Sequence, residues 1–257
     1  MSTNDQYKNL LNDLVHFPQF QSAPRGQGTS EIIGYLSKID MCHPIITLPD
    51  RQLDYNFMAA EAHWILSGER RLNAHVEKNL LKYSDDGKTM RGAYGPPFLQ
   101  QVEYVADMLN HDKETRQAVM TIWERNPRPS KDIPCTISLQ WLIRDCKLWC
   151  NAHMRSSDAW LGFPYDIFNF SMMSLYLMKK IRYELSLGTL RLFAGSQHLY
   201  QRNKEAAAIV AHSNDIGEIL AIDIHRFNTP DLIMNVLDVI RNAPSDQLNY
   251  IKDNLCR

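Results

Sequence analysis

No cationic excess, cysteine framework or membrane-length apolar run occurs in this chain of 257 residues. Its 28 Lys and Arg face 29 Asp and Glu, leaving a net charge of −1. A protein that coats nucleic acid needs surplus cations to displace counterions from phosphates, so no nucleic-acid partner is expected. The five cysteines (Cys42, Cys135, Cys146, Cys150 and Cys256) are an odd set without framework spacing, which points to a reducing, cytoplasmic setting. Cys146 and Cys150 form a CxxxC with no second ligand pair, so no metal is expected. No apolar stretch approaches the ~18 residues that cross a bilayer. Residues 1–6 (MSTNDQ) lack the basic and apolar regions of a signal peptide, and no membrane association is expected. Repeats, low-complexity tracts and linkers are missing as well. The densest break, residues 126–134, is short enough for a surface loop. What remains is 44% hydrophobic and 22% charged, ordinary globular composition. A chain of this length buries roughly three quarters of its unfolded surface. One domain over residues 1–257 is the expectation.

Apolar spacing predicts a helix over residues 4–15, through Leu10, Leu11, Leu14 and Val15. A second is predicted over 54–66, with Gly68 as its C′ residue. Residues 118–123 read as a buried strand. Residues 136–144 alternate, with Ile137, Leu139, Trp141 and Ile143 on one face. A tight turn near Asp145 and a strand over 148–154 complete a hairpin. A long helix follows from Pro164 to Leu187 with Gly188 beyond it, on the stripe Phe168, Met172, Leu175, Met178, Ile181 and Leu185. A strand over 189–194 comes next. Thr229 and Pro230 cap and open a helix over 231–241. Strands mixed with long helices, without strict alternation, indicate an α+β fold.

Several polar residues invite a chemical reading. Cys135 follows Pro134 at the mouth of the hairpin; alone it reads as a small hydrophobe or as a nucleophile. A nucleophilic thiolate needs a cation, and Arg155 returns to the same sheet edge if the strands pair. Arg155 with Ser156 is also phosphate-binding equipment, the alternative being a surface ion pair. Glu61 lies among Phe57, Trp64 and Ile65, either half-buried with a raised pKa or on a solvated helix face. His198 and Tyr200 follow a strand and have the donors to meet a sugar or phosphate, though a structural histidine is the simpler reading. The Arg25–Thr29 segment (RGQGT) is a weak anion-loop candidate and no Walker motif.

In this order the segments resemble the thymidylate synthase family, which includes the pyrimidine-nucleotide hydroxymethylases. The strongest stretch is Pro134–Gln140 (PCTISLQ), followed by Arg155–Asp158 (RSSD) and Leu161–Asp166 (LGFPYD). Supporting pieces are Glu61–Trp64, Ala93–Gly95, Thr115–Arg116, Trp123 with Asn126–Pro127, and His198–Tyr200. The resemblance covers about two thirds of the chain, from residue 25 to 200. It implies a mixed, kinked sheet flanked by helices and packed back to back with its twin in a homodimer. It also implies one-carbon transfer from 5,10-methylenetetrahydrofolate to position 5 of a pyrimidine nucleoside monophosphate. In that reading Cys135 adds to ring carbon 6, Glu61 organises water and proton transfers, and Tyr94 helps remove the carbon 5 proton. Arg25, Arg155 and Ser156 would hold the 5′-phosphate, with Arg116 reaching in from the partner subunit. Gln140 would position the nucleotide, His198 and Tyr200 the sugar, and Asp158 and Gly162 would face the pterin.

The sequence departs from the synthases in ways that favour another branch. Thr136 follows the nucleophile where synthases carry His. Arg116-Gln117 keeps one of two paired arginines, and the loop at Arg25 is shorter. The terminal segment 249–257 lacks the pattern that closes a synthase over folate. Asp166 stands where synthases for uracil nucleotides carry Asn. Cytosine presents an acceptor at nitrogen 3 and a donor at the 4-amino group, and a protonated carboxyl answers both. With Cys135-Thr136 and the Gly195–Tyr200 pattern, these features resemble a deoxycytidylate (dCMP) 5-hydroxymethylase, which would suit a virus modifying its DNA in the host cytoplasm. The alternatives are a 5-methylating enzyme that produces dihydrofolate, a non-catalytic RNA- or protein-binding homologue, and a cysteine hydrolase using His153 or His198.

Overall fold

The computed structural model describes residues 1–244 and 247–257. It builds one sheet from β1 (Phe20–Ser22), β2 (Thr29–Asp40), β3 (Val119–Thr121), β4 (Thr136–Arg144), β5 (Lys147–Met154), β6 (Ser157–Asp158) and β7 (Ser186–Tyr200). The order is β1-β2-β7-β5-β4-β3, with β6 on β7. The β5–β7 and β6–β7 pairings are parallel and the others antiparallel, so the sheet is mixed, as expected.

The helices are α1 (Thr3–His16), α2 (Tyr55–Leu66), α3 (Glu77–Leu80), α4 (Gly95–His111), α5 (Phe163–Met178), α6 (Lys204–His212), α7 (Pro230–Arg241) and α8 (Gln247–Leu255). Helix α5 packs on β5 and β7 and carries α2 on its other side. Its apolar residues therefore face neighbours all round: 13 of its residues are buried. Trp141 of β4 donates through Nε1 to Ser174 Oγ of α5 at 2.9 Å, tying sheet to helix.

The predicted helices at residues 4–15 and 54–66 form, each ending within a residue or so of its expected bounds. Asp54 caps α2 by accepting from Phe57 N, and Gly68 takes the left-handed φ of 71° expected of a C′ residue. At Gly95 a Cβ would lie 2.7 Å from Ile65 O and 3.0 Å from Gly68 Cα. Two bare backbones thus meet, and the start of α4 seats against the end of α2. The hairpin forms as read, with Asp145 and Cys146 both at positive φ (51° and 54°), the geometry of a two-residue type I′ turn.

Four expectations are corrected. The long helix stops at Met178 instead of running to Leu187, because residues 186–188 are claimed by β7 beside β5. Leu185, on the predicted stripe, is therefore outside the helix. The strand predicted over 118–123 is shorter, with Val119 and Thr121 exposed around buried Met120. Ile137 is 40% exposed rather than on the core face, because β4 bulges between Thr136 and Ser138. Thr229 occupies the N-cap of α7 but its side chain makes no capping hydrogen bond.

Candidate active site

Cys135 precedes the bulge, which changes the facing of β4 so that Thr136 is fully buried and Ile137 turns out. The Ile137 carbonyl then accepts from both Ile122 N and Trp123 N, closing the neighbouring segment onto the strand. From β5, Arg155 N donates to Cys135 O at 2.8 Å, so the hairpin does bring Arg155 back to the cysteine. The guanidinium donates through Nε to Pro134 O and through Nη2 to Ile133 O (3.0 and 2.9 Å) and lies over the Trp123 ring. Arg155 is exposed, clamps the loop that carries Cys135 and remains accessible to an anion.

Helices α2 and α5 bring in the acids. Glu61 and Asp166 are both half-buried, within reach of a ligand yet largely stripped of water. Burial pushes Glu61 up to about 7, opposed by the 2.8 Å bond that its Oε2 accepts from Asn169 Nδ2. Asp166 lies well above the ordinary carboxylate range, through burial and then the neighbouring charges of Glu61 and Asp158. Burial likewise raises the Cys135 thiol; Arg155 is the largest opposing influence, while Asp166, Asp132 and Asp158 push with burial. A neutral Asp166 therefore makes the thiolate easier to form.

Tyr94 stands at the N-cap of α4, set there by the Gly68–Gly95 contact, and stacks on Phe170 with 6.4 Å between ring centroids. Its phenol lies well above 10, from burial first and then from Asp166 and Cys135. Cys135, Glu61, Tyr94, Asp158 and Asp166 lie near enough to one another for the charge of one to bear on the protonation of the next. Asp158 Oδ1 accepts from Trp160 N and Leu161 N (2.8 and 3.0 Å), shaping the turn into α5. At Gly162 a Cβ would lie 3.2 Å from Asp166 Oδ2, so glycine keeps the space over that carboxyl open. His198 pairs in register with Asp158, lies 3.4 Å from Ser156 Oγ through Nδ1, and packs edge-on against Tyr200.

Two expected site residues, Gln140 and Arg116, lie apart, while Arg25 stands on a turn beside Tyr200. Gln140 is on the opposite face of β4 from the core-facing Leu139 and Trp141. Its amide donates to Arg116 O and accepts from Asn151 Nδ2, so it supports the Arg116 segment instead of lining the pocket. Arg116 is exposed just before β3. Arg25 is exposed with φ 55°, on a turn held near Tyr200 by Gln201 N to Gly28 O and Arg202 Nη1 to Gln27 Oε1. A cleft of about 250 Å³ lined by Arg70, Arg91, Trp123 and Pro134 borders the cysteine loop, without Cys135 or Asp166 in its wall.

Asn169 and Thr136 escaped the sequence reading as site residues. Asn169 carries a signal in hindsight, a lone amide one turn beyond Asp166 in an apolar helix. Thr136 Oγ1 is buried without a hydrogen-bond partner, while its hydroxyl influences the Tyr94 phenol. Among the described residues no cluster of three metal-ligating side chains occurs, and no helix is long and apolar enough to cross a membrane.

A family model described as thymidylate synthase matches residues 5–236, which takes in every residue of this pocket. The match agrees with the mixed sheet flanked by helices. The chain belongs to the thymidylate synthase family, enzymes that use methylenetetrahydrofolate to transfer one carbon to a pyrimidine nucleotide.

Proposed function

We propose that the protein is a dCMP 5-hydroxymethylase, a single domain over residues 1–257 that works as a homodimer. The observation that carries the cytosine reading is Asp166, a half-buried carboxyl in the pocket of Cys135, raised well above its ordinary range. A neutral carboxyl donates its O–H to nitrogen 3 and accepts from the 4-amino group, whereas uracil offers the reverse pattern.

Each step then follows from a named group. Arg155 and Ser156, with Arg25 from its turn, hold the 5′-phosphate, and His198 and Tyr200 meet the sugar. The Cys135 thiolate adds to ring carbon 6, turning carbon 5 into a nucleophile. Methylenetetrahydrofolate supplies the one-carbon unit; Asp158 and Gly162, at the turn into α5, are the residues that would face its pterin. Tyr94, whose phenol stays protonated, orients the acceptor of the carbon 5 proton instead of acting as a phenolate. Glu61, poised near 7, takes a proton from water as it adds to the exocyclic methylene left on the base once the bond to the folate nitrogen breaks and tetrahydrofolate departs. Expulsion of Cys135 releases 5-hydroxymethyl-dCMP.

The dimer reading is supported by the sheet face turned away from α5. There Leu36 pairs directly with Phe193, and the two are 48% and 41% exposed. Val119, in register with Gln140, is 38% exposed. Apolar side chains in facing rows suit burial against a second sheet.

The deciding experiment incubates dCMP, CMP or dUMP with methylenetetrahydrofolate and weighs the nucleotide product. A gain of one CH₂O on dCMP is expected. Asp166→Asn should lower kcat/KM for dCMP by roughly 5- to 150-fold, because a buried group left unpaired costs about 1–3 kcal/mol. A gain of one CH₂ with dihydrofolate would identify a methylating enzyme, and no turnover a non-catalytic homologue. An unchanged dCMP:dUMP ratio in Asp166→Asn would remove the reason for preferring cytosine.

A further inference from the structure

Asn169 is 2% exposed and its two amide atoms are treated unequally. Nδ2 donates to Glu61 Oε2 at 2.8 Å. Oδ1 is buried with no hydrogen-bond partner. A buried acceptor left unpaired costs free energy, and buried polar groups of this kind are ordinarily satisfied by protein or by ordered water. Turning the amide over would only exchange which atom is left without a partner. Helix α5 fixes the residue, with Asp166 one turn before it and Phe170, the platform for Tyr94, immediately after. The unpaired atom therefore belongs to a side chain already bonded to the carboxylate that must handle water. Purely structural packing explains the bond to Glu61. It does not explain an amide in an apolar setting where half the amide is unused.

We propose that Asn169 holds Glu61 through Nδ2 and, through Oδ1, receives one hydrogen of the water that adds to the exocyclic methylene. The other hydrogen points at Glu61. The water oxygen forms a bond to the methylene carbon as its second proton passes to the Glu61 carboxylate. The π electrons of the exocyclic double bond return to the ring. Carbon 5=carbon 6 then re-forms as the Cys135 sulfur leaves with the electron pair of the C–S bond. No oxidant or reductant is consumed. Asn169 thus favours hydration by placing the water, and it sets the rate of that one step without contributing to phosphate or base binding. The inference rests on the hydroxymethylase reading above.

The test measures how the methylene is partitioned. Enzyme, dCMP and methylenetetrahydrofolate are incubated with a fixed concentration of 2-mercaptoethanol, which captures the methylene as a thioether. The hydroxymethyl-to-thioether ratio is then read by mass. Asn169→Ala is expected to lower that ratio at least tenfold, and Asn169→Ser, which restores a small hydroxyl, to recover part of it. General damage to the pocket lowers both products together and leaves the ratio where it was. An unchanged ratio in Asn169→Ala therefore overturns the proposal. Should that variant bind dCMP too weakly to assay, an unchanged ratio in Asn169→Leu, which keeps the side-chain volume but has no acceptor, does the same. Failure of the hydroxymethylase reading looks different: wild type itself would then give no hydroxymethyl product, and the inference would fall with it.

Discussion

The raised pKa of Glu61 bears on the stability of the fold. Its folded value of about 7 lies above the ordinary 4.5 because the site withholds water from the ionised form. A carboxyl with a raised folded pKa gives its full stabilising share below about pH 4.5 and loses it as pH rises through 7. Above that, the folded state carries a penalty on the order of 3 kcal/mol. Glu61→Gln removes the charge while keeping an oxygen that accepts from Asn169. It is expected to be more stable than wild type at pH 8 by about 1–3 kcal/mol and to show little difference at pH 4.5. Urea unfolding at both pH values measures this, and an equal gap at the two would mean that Glu61 does not titrate as described. The same residue shows what was readable beforehand. Its apolar helical neighbours Phe57, Trp64 and Ile65 were enough to suggest a half-buried acid. Its bond to Asn169 spans 108 positions of sequence and had no local trace.

Secondary elements position these side chains through close backbone contact at a few points. Gly95 is the clearest: its added Cβ would meet the Ile65 carbonyl and the Gly68 backbone, neither of which yields like a flexible side chain. Gly95→Ala should push the start of α4 away from α2, costing about 1–3 kcal/mol as overpacking does. It should also lower kcat, since Tyr94 sits on the adjoining residue. An unfolding midpoint and kcat/KM both equal to wild type would show that the two helix ends have room to spare. Element boundaries were legible where local chemistry sets them, as at Asp54, Gly68 and the turn of Asp145 and Cys146. They were misread where pairing competes with propensity. Leu185 and Leu187 continue the apolar spacing of α5, but the segment beginning at Ser186 gains a full ladder with β5 and is drawn into the sheet. Ile137 was misplaced for a related reason: a bulge inserts one residue and reverses the alternation at the point where the strand turns from core to site.

At the scale of the whole molecule, the Arg116 segment and the outer sheet face belong to one argument. Gln140 stands on that face and donates to Arg116 O at 2.9 Å, so the arginine's backbone is fixed at the sheet edge while its side chain is exposed. The sequence could place both residues in the family's pattern but not on a face, which depends on strand register. If a second copy covers Leu36 and Phe193, an arginine anchored beside that face is available to the partner's phosphate site. Arg116→Ala should then raise KM for dCMP, and Cys135→Ala should abolish turnover while still binding nucleotide. Mixed in equal amounts under conditions of subunit exchange, the two inactive or weakened proteins should regain about a quarter of wild-type activity. The arithmetic follows from two-fold symmetry: half the dimers are hybrids, and one of the two sites in each hybrid has both residues intact. The measurement is activity against time of exchange, with hybrid formation followed by tagged subunits. Proven exchange without recovery, or full activity in a monomer by light scattering, would show that each chain completes its own site and that the exposed sheet face serves some other purpose.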